Sequence, residues 1–349
     1  MTQQFHPAPA SHARSPAAPA DNEPLQRQDS HFLWATGASL LDCYLSISVD
    51  DARATLYIPK LPASYAVWMG AIRSPADVAA EYGVDEGAYV SELGGRVASA
   101  PRVLVNQGLN TDSGKTAKPA SWDGSDALAD GVLDTAALYP VLTETRVFKS
   151  ERELDVMRHV VSAASDGHCV MMRAVREGMR EDGLEAAFGF WMRSTVGARY
   201  KAYTYICGSG PNAAVLHYGH EGAPNDRTIG KDEFVLCDCG HELFGYASDI
   251  TTTFPSSGKF TADQRVVYSA VLGEPGPRRP RGSPGPVAAP PAAAAQPCIL
   301  TPTVPPSSSS AAAMDAVEGA MKPGVAWPDM QTLTYEVTLS ALKDAGLLT

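Results

Sequence analysis

Phe234-Val235-Leu236-Cys237-Asp238-Cys239-Gly240-His241-Glu242-Leu243-Phe244-Gly245-Tyr246-Ala247-Ser248-Asp249-Ile250-Thr251-Thr252-Thr253-Phe254 is the stretch on which the reading of this chain turns. Two apolar, β-branched runs flank a short turn region holding Gly240 and Gly245, the pattern of a β-hairpin. Each run carries one acid, Asp238 in the first and Asp249 in the second, among residues that favour burial. Burying an ionised carboxylate without a partner is very costly, so each acid needs a cation, a metal or a proton. The stretch contains no Lys or Arg. Two strand-borne carboxylates brought together repel each other, and a bound metal ion resolves that conflict.

Alternate residues of a strand share a face. Thr251 and Thr253 therefore accompany Asp249, while Ile250, Thr252 and Phe254 point the other way. Thr251 is placed to donate a hydrogen bond to a ligating carboxylate. Cys237 and Cys239 flank Asp238, face away from it, and read as packing residues in preference to a thiolate site. His241 reads as a turn-exposed residue in preference to a stray ligand. His217 and His220, taken alone, read as ordinary satisfied histidines.

Composition narrows the function classes. The chain has 349 residues, room for about two domains, and a net charge of −11. No basic face offsets the acids, which argues against a nucleic-acid partner. The one dense basic cluster, Arg278-Arg279-Pro280-Arg281, sits in Pro- and Gly-rich sequence and reads as solvated tail. None of the six cysteines forms a Cys-x-x-Cys pair, so reduced thiols are the simpler expectation. No apolar run approaches the roughly 20 residues that span a bilayer. The N-terminus lacks the apolar core of a secretory signal. Its Ala/Pro/Ser/Arg composition leaves an organelle transit peptide open, against Asp21 and Glu23; cytoplasm is the default.

Residues 1–26, rich in Pro, Ala and Gln, are expected to be disordered. Asp42–Val49 alternates like a strand, Asp50-Asp51 suits a turn, and Ala54–Ile58 returns as the partner. Pro75–Tyr82 reads as a helix and Arg102–Val105 as a buried strand, which together predict a small α/β domain ending near Arg146. Ser150-Glu151-Arg152-Glu153 is a capping box. Leu154, Met157, Val161, Ala164, His168, Met171 and Val175 follow at helical spacing, with His168 read as a core residue and Gly178 as the stop. A second helix is predicted from about Glu181 to Val196, with Leu184, Phe188, Trp191 and Met192 on one side. A third begins at a Thr261/Gln264 box. It breaks at Gly273, where Pro, Gly, Ala, Ser and Arg fill the sequence to Ala313. Such composition buries too little apolar surface to offset its ordering entropy. With 273–313 removed, Tyr268, Val271, Leu272, Ala316, Val317 and Ala320 fall at helical spacing. The segment reads as an extraneous insertion in one helix, a translated intron being the proposed source.

The flanks of the hairpin carry a specific resemblance. Tyr203-Thr204-Tyr205-Ile206-Cys207-Gly208-Ser209-Gly210-Pro211-Asn212 runs into Ala214-Val215-Leu216-His217-Tyr218-Gly219-His220, and Ala223-Pro224-Asn225-Asp226-Arg227 precedes the Asp238 and Asp249 pair. Ile58-Pro59-Lys60-Leu61-Pro62-Ala63-Ser64, Trp68-Met69-Gly70 and Asn110-Thr111-Asp112-Ser113-Gly114 agree with it. The chain closely resembles the eukaryotic prolidases, Xaa-Pro dipeptidases of the pita-bread metallopeptidase family, from about Gln26 to Leu272 and again from Met314. The resemblance implies an α/β (α+β) fold, with a small creatinase/aminopeptidase-P-like domain at 27–146. An incomplete pita-bread catalytic domain follows at 147–349, interrupted at 273–313. It implies that Asp238 and Asp249 are the first two of five ligands to two manganese ions, Asp249 bridging both, and that His217 contacts substrate. Carboxylates suit such hard ions. Dipeptides with C-terminal proline are the implied substrate, and the family relationship implies a homodimer.

The remaining ligands implied by the family, one His and two Glu, have no counterpart: no His follows His241, and Glu242, Glu274, Glu318 and Glu336 do not match ligand positions. A general base is expected beyond Thr349. Two readings stand at this point: a metal-dependent dipeptidase recorded as a truncated product, or a non-catalytic fragment acting at most through dimerisation. For half a pita-bread domain, uncovered apolar surface is expected at Phe188, Trp191, Phe254 and 234–236, with poor solubility or oligomerisation.

Overall fold

The computed structural model describes residues 2–4, 27–110, 113–272 and 310–344. Most of the segment 1–26, Thr111-Asp112, Cys298 and residues 273–309 lie outside the described residues. The chain divides into two compact units, Met1–Val156 and Met157–Thr349.

In the first unit a four-stranded sheet runs β1 (Thr2–Gln4), β2 (Tyr44–Ile47), β3 (Ala54–Ile58), β4 (Glu86–Tyr89). The predicted Asp50-Asp51 turn joins β2 and β3, which pair antiparallel with Leu45 opposite Leu56. Helix α1 (Ser30–Thr36) starts at Asp29, whose carboxylate accepts from the His31 and Phe32 amides, satisfying donors the first turn leaves open. A short helix α2 (Ala66–Met69) and α3 (Pro75–Tyr82) precede β4. α3 forms over the predicted residues, opened by a Ser74/Asp77 capping box. It carries the crossover from β3 to its parallel neighbour β4. Helix α4 (Val90–Val97), the parallel pair β5 (Val103–Leu104) and β6 (Leu133–Asp134), and α5 (Leu138–Val147) complete the unit. Phe32, Leu45, Leu56 and Val78 make one cluster; Tyr57, Leu93, Val103 and Trp122 make another.

Helix α6 (Glu151–Ala174) opens on the expected capping box, the Ser150 amide donating to Glu153 Oε2 at 2.6 Å and the Glu153 amide to Ser150 Oγ at 3.4 Å. Its buried face is Val160, Ala164, Gly167, His168 and Met171. Val161, placed on the stripe by spacing, is exposed. Steps of three and four are both helical neighbours, and the turn at Met157 is continued by Val160 instead. Gly178, in the left-handed region, follows the helix. Helix α7 (Glu181–Trp191) runs into a π-type turn, Met192–Val196.

The rest of the second unit is two three-stranded sheets. One orders β12 (Ile250–Pro255), β9 (Phe234–Cys239) and β8 (Ile206–Ser209); the other orders β11 (Tyr246–Ala247), β10 (His241–Leu243) and β7 (Tyr200–Lys201). The predicted hairpin exists as β9 against β12. Its connection is no short turn: it folds into a second hairpin, β10 and β11, around Phe244-Gly245. α6 and α7 cover the first sheet through Met171, Leu184, Phe188, Val235, Cys237 and Phe254. Phe188, Val235 and Phe254 are therefore buried and Trp191 half-buried, where uncovered apolar surface was expected; the two helices already shield that face. Large exposed apolar side chains lie elsewhere, at Phe190, Leu216, Phe244 and Trp327.

Helix α8 (Ala262–Leu272) starts at the predicted box, the Thr261 amide donating to Gln264 Oε1 at 2.9 Å. α9 (Ser310–Ala320) and α10 (Trp327–Asp344) pack with it. α9 begins at Ser310, so the last residues assigned to the insertion are helical. Among the described residues no helix is long and apolar enough to cross a membrane.

Candidate metal centre

Register in the β8-β9-β12 sheet places the first acid. Asp238 lies opposite Thr251 on one side and Ile206 on the other. The pleat sends Val235, Cys237 and Cys239 into the core and Asp238 to the opposite, half-buried face, as the alternation predicts. Cys207 on β8 sits across from Cys237, with its sulfur 3.8 Å from that of Cys239. Hydrogen bonding to Cys207, then burial, holds Cys237 protonated; burial, then the same partner, does so for Cys239. Cys237 and Cys239 therefore pack the core as thiols and are not thiolate ligands.

Asp249 precedes β12 and is exposed. One side chain links the two acids: the Tyr203 hydroxyl bonds to Asp238 Oδ1 and, at 3.0 Å, to Asp249 Oδ1. Burial, then these two carboxylates, push the phenol pKa up, so the proton stays on Tyr203. A phenol has one proton and cannot donate to two carboxylates at once. Neither aspartate forms a salt bridge among the described residues. The pair is thus one positive partner short, and two oxygen-donor carboxylates fit a hard divalent cation. Among the described residues no group of three His, Cys, Asp or Glu gathers to hold a metal, so the fit is that of a partial site. Tyr203 was not singled out by sequence reasoning. It stands 35 residues before Asp238, and only its place in the Tyr203–Asn212 motif marked it.

His217 is exposed and hydrogen-bonds to neither aspartate. The loop leading to it is fixed by Glu181, a fully buried acid. Its Oε1 accepts from the Ser209 amide and hydroxyl, both at 2.7 Å, and its Oε2 from Tyr218 Oη at 2.8 Å. Asn212 Nδ2 adds a longer bond of 3.4 Å to Oε1. Arg227 donates to Ser209 Oγ and to both oxygens of Glu233. A buried carboxylate saturated with donors is a rigid anchor, and here it sets the strand end from which residues 210–218 leave.

Residues 155–273 match the model of metallopeptidase family M24, and residues 10–102 that of the aminopeptidase P N-terminal domain. The chain is 42% identical to the Xaa-Pro dipeptidase of Homo sapiens over 330 residues, covering 94% of this chain and 58% of that protein. Its region 155–273 is thus similar to metallopeptidase family M24. The Xaa-Pro dipeptidase of Rattus norvegicus is 39% identical over the same span. Aminopeptidase PepP of Pseudomonas aeruginosa shares the fold, with a TM-score of 0.70 at 24% identity, covering all of this chain and 70% of that one. A zinc-substituted aminopeptidase P of Escherichia coli in complex with product aligns at 0.68 and 25% identity, covering 95% and 67%. The M24 fold with its N-terminal domain is as the sequence resemblance implies. The chain spans 58% of the length of these curated relatives.

Three further expectations meet the M24 domain's geometry. His168 is buried as predicted: Nε2–H donates to the Cys239 carbonyl at 3.2 Å, so Nδ1 accepts from the Thr252 hydroxyl at 2.8 Å. Burial holds it neutral. Thr251 shares the face of Asp238 but bonds to neither carboxylate; Tyr203 supplies the hydroxyl instead. His241 is not turn-exposed. β10 pairs it with Lys201 and leaves it 1% exposed, its ring 5.8 Å from Phe188 and 5.7 Å from Tyr205. The inner hairpin, invisible as a separate element in the sequence, carries it inward.

Proposed function

We propose that the protein is a cytoplasmic Xaa-Pro dipeptidase that hydrolyses the imide bond of dipeptides ending in proline, with two manganese ions at the centre begun by Asp238 and Asp249. The observation that carries this reading is the single Tyr203 hydroxyl shared by two carboxylates that have no cation, in a chain 42% identical to a Xaa-Pro dipeptidase. Asp238 and Asp249 would hold the metal. Tyr203 orients one oxygen of each carboxylate and leaves the others to bind. His217, on the loop anchored by Glu181, would meet the substrate, and Thr251 lines the same face as Asp238. The metal, when bound, supplies an activated hydroxide and polarises the scissile carbonyl.

Two ligands do not fix a dinuclear site, so the 349-residue chain alone is expected to be inactive. Calorimetric titration of the purified chain with manganese is expected to show weak binding that Asp249→Asn abolishes, and Gly-Pro with added manganese is expected to stay intact. Binding unchanged in Asp249→Asn removes the ligand assignment. Clear Gly-Pro turnover overturns the expectation of inactivity.

Pairing of two chains through the N-terminal unit is the second part of the reading. Val67 and Trp68 are adjacent, 82% and 76% exposed, and followed by exposed Met69, an apolar run suited to an interface. Light scattering of Trp68→Ser against the parent chain tests it: an unchanged mass refutes the role.

A further inference from the structure

One cavity of the second unit lies outside the metal centre and has no role in the proposed reaction. It measures about 490 Å³ and is walled by Glu185, Gly189, Arg193, Lys201, Tyr205 and His241, with Phe190 at its side. That size falls in the range of small-molecule sites. Two of the lining residues carry buried polar atoms without partners: both ring nitrogens of His241 and the hydroxyl of Tyr205 make no hydrogen bond. Both side chains are 1% exposed. Leaving a buried polar group unpaired costs about 1–3 kcal/mol, so three such atoms at one cavity wall call for a polar occupant.

The charges choose its sign. Glu185 is already committed, Oε1 to Lys201 Nζ and Oε2 to Asn225 Nδ2 at 3.1 Å. Lys201 also lies 4.3 Å over the Tyr205 ring. Arg193 is exposed and gives one hydrogen bond, from Nη2 to the Arg199 carbonyl at 3.3 Å, which leaves most of its five donors. Two cations against one satisfied carboxylate leave the cavity net positive. A metal cation is disfavoured there even though an imidazole lines it. What the cavity offers is donors: the Arg193 guanidinium, one N–H of neutral His241, and the Tyr205 hydroxyl. Between them Ala186, Gly189 and Phe190 give an apolar surface.

We propose that this cavity is a binding site for a small organic carboxylate. Its carboxylate meets Arg193, its apolar body lies along Ala186, Gly189 and Phe190, and an acceptor or hydroxyl reaches His241 and Tyr205. Arginine is suited to the head group because its planar fork matches a carboxylate with two parallel bonds.

The test uses the purified 349-residue chain near pH 7.5, with benzoate, its neutral isostere benzamide, and inorganic phosphate as probes in calorimetry. Benzoate is expected to bind at least about tenfold more tightly than benzamide, the scale of one charge-assisted pair. Phosphate, which lacks the apolar body, is expected to bind more weakly than benzoate. Arg193→Gln, at an exposed position that leaves folding intact, should erase the preference for benzoate over benzamide. Gly189→Met gives an independent check by filling the cavity. A Cβ at Gly189 meets only Tyr205 Cε2 and Oη, at the ordinary contact distance of 3.9 Å, so a side chain can start there, and its length should abolish binding of both ring compounds. Equal affinity for benzoate and benzamide, benzoate binding untouched by either substitution, or no heat from benzoate at millimolar concentration would each overturn the proposal and leave the orphaned atoms to water.

Discussion

Lowering the pH from about 7.5 to about 5 should remove roughly 2 kcal/mol of stability through His241 alone. Burial, followed by the charges of Arg193 and Lys201, brings this imidazole from its ordinary 6.5 down to about 4. In the unfolded chain it titrates near 6.5. Between those values the unfolded state binds more protons than the folded one, so stability falls as pH falls. The loss begins below about pH 6.5 and is complete near pH 4. The gap of about 2.5, at 1.36 kcal/mol for each pKa unit, gives roughly 3 kcal/mol in all, of which about 2 has gone by pH 5. For a unit of this size that is about 4–8 °C in melting temperature. The groups facing the ring agree with the direction: Phe188 carries no charge, the Tyr205 phenol is held protonated by burial, and Glu185 is paired with Lys201.

Urea unfolding of the parent chain and of His241→Ala, measured at intervals across that window in a carboxylate-free buffer, isolates the effect. The parent-minus-variant difference cancels the carboxylates, and it cancels His31 and His168, whose pKa values burial also lowers. Any packing lost with the ring shifts the difference by a constant. The pH-dependent part is expected to change by about 2 kcal/mol from pH 7.5 to pH 5. A difference that stays flat across the window refutes the buried neutral histidine.

Glu181→Ala should destabilise the second unit by about 3 kcal/mol or more, because it strands the Ser209 amide and hydroxyl and Tyr218 Oη in the interior; a loss below about 1 kcal/mol in urea unfolding contradicts the anchor. Phe244, 74% exposed at φ +52° in the Phe244-Gly245 turn, occupies a conformation costly for a bulky residue. Phe244→Asn is expected to raise stability by about 0.5–1 kcal/mol, and a lower melting temperature would count against that turn. The mature transcript is expected to join codon 272 directly to codon 314; amplification from spliced message that still encodes 273–313 refutes the insertion.

Local pattern carried some of this molecule and long-range pairing carried the rest. The alternation of 234–239 was enough to separate Asp238 from Cys237 and Cys239, because a strand has only two faces. The boxes at Ser150 and Thr261 were legible because each cap closes within three residues. The inner hairpin was not: its turn uses Phe244 in the left-handed region, where a sequence reader looks for Asn or Gly. Once that hairpin is missed, His241 has no route inward, since what buries it is pairing with Lys201, 40 residues earlier. Tyr203 was hidden for the same reason. Its hydroxyl meets Asp238 and Asp249 across 35 and 46 residues of chain, a separation that no periodicity encodes. Charge logic raised the same question without it, that the two acids of this hairpin lack a cation, although Asp238 is only half-buried and Asp249 is exposed just before β12. Tyr203 sharpens the question to one proton between two carboxylates, a deficit that a divalent metal removes and a second lysine would not, since nothing in the hairpin or its sheet supplies one.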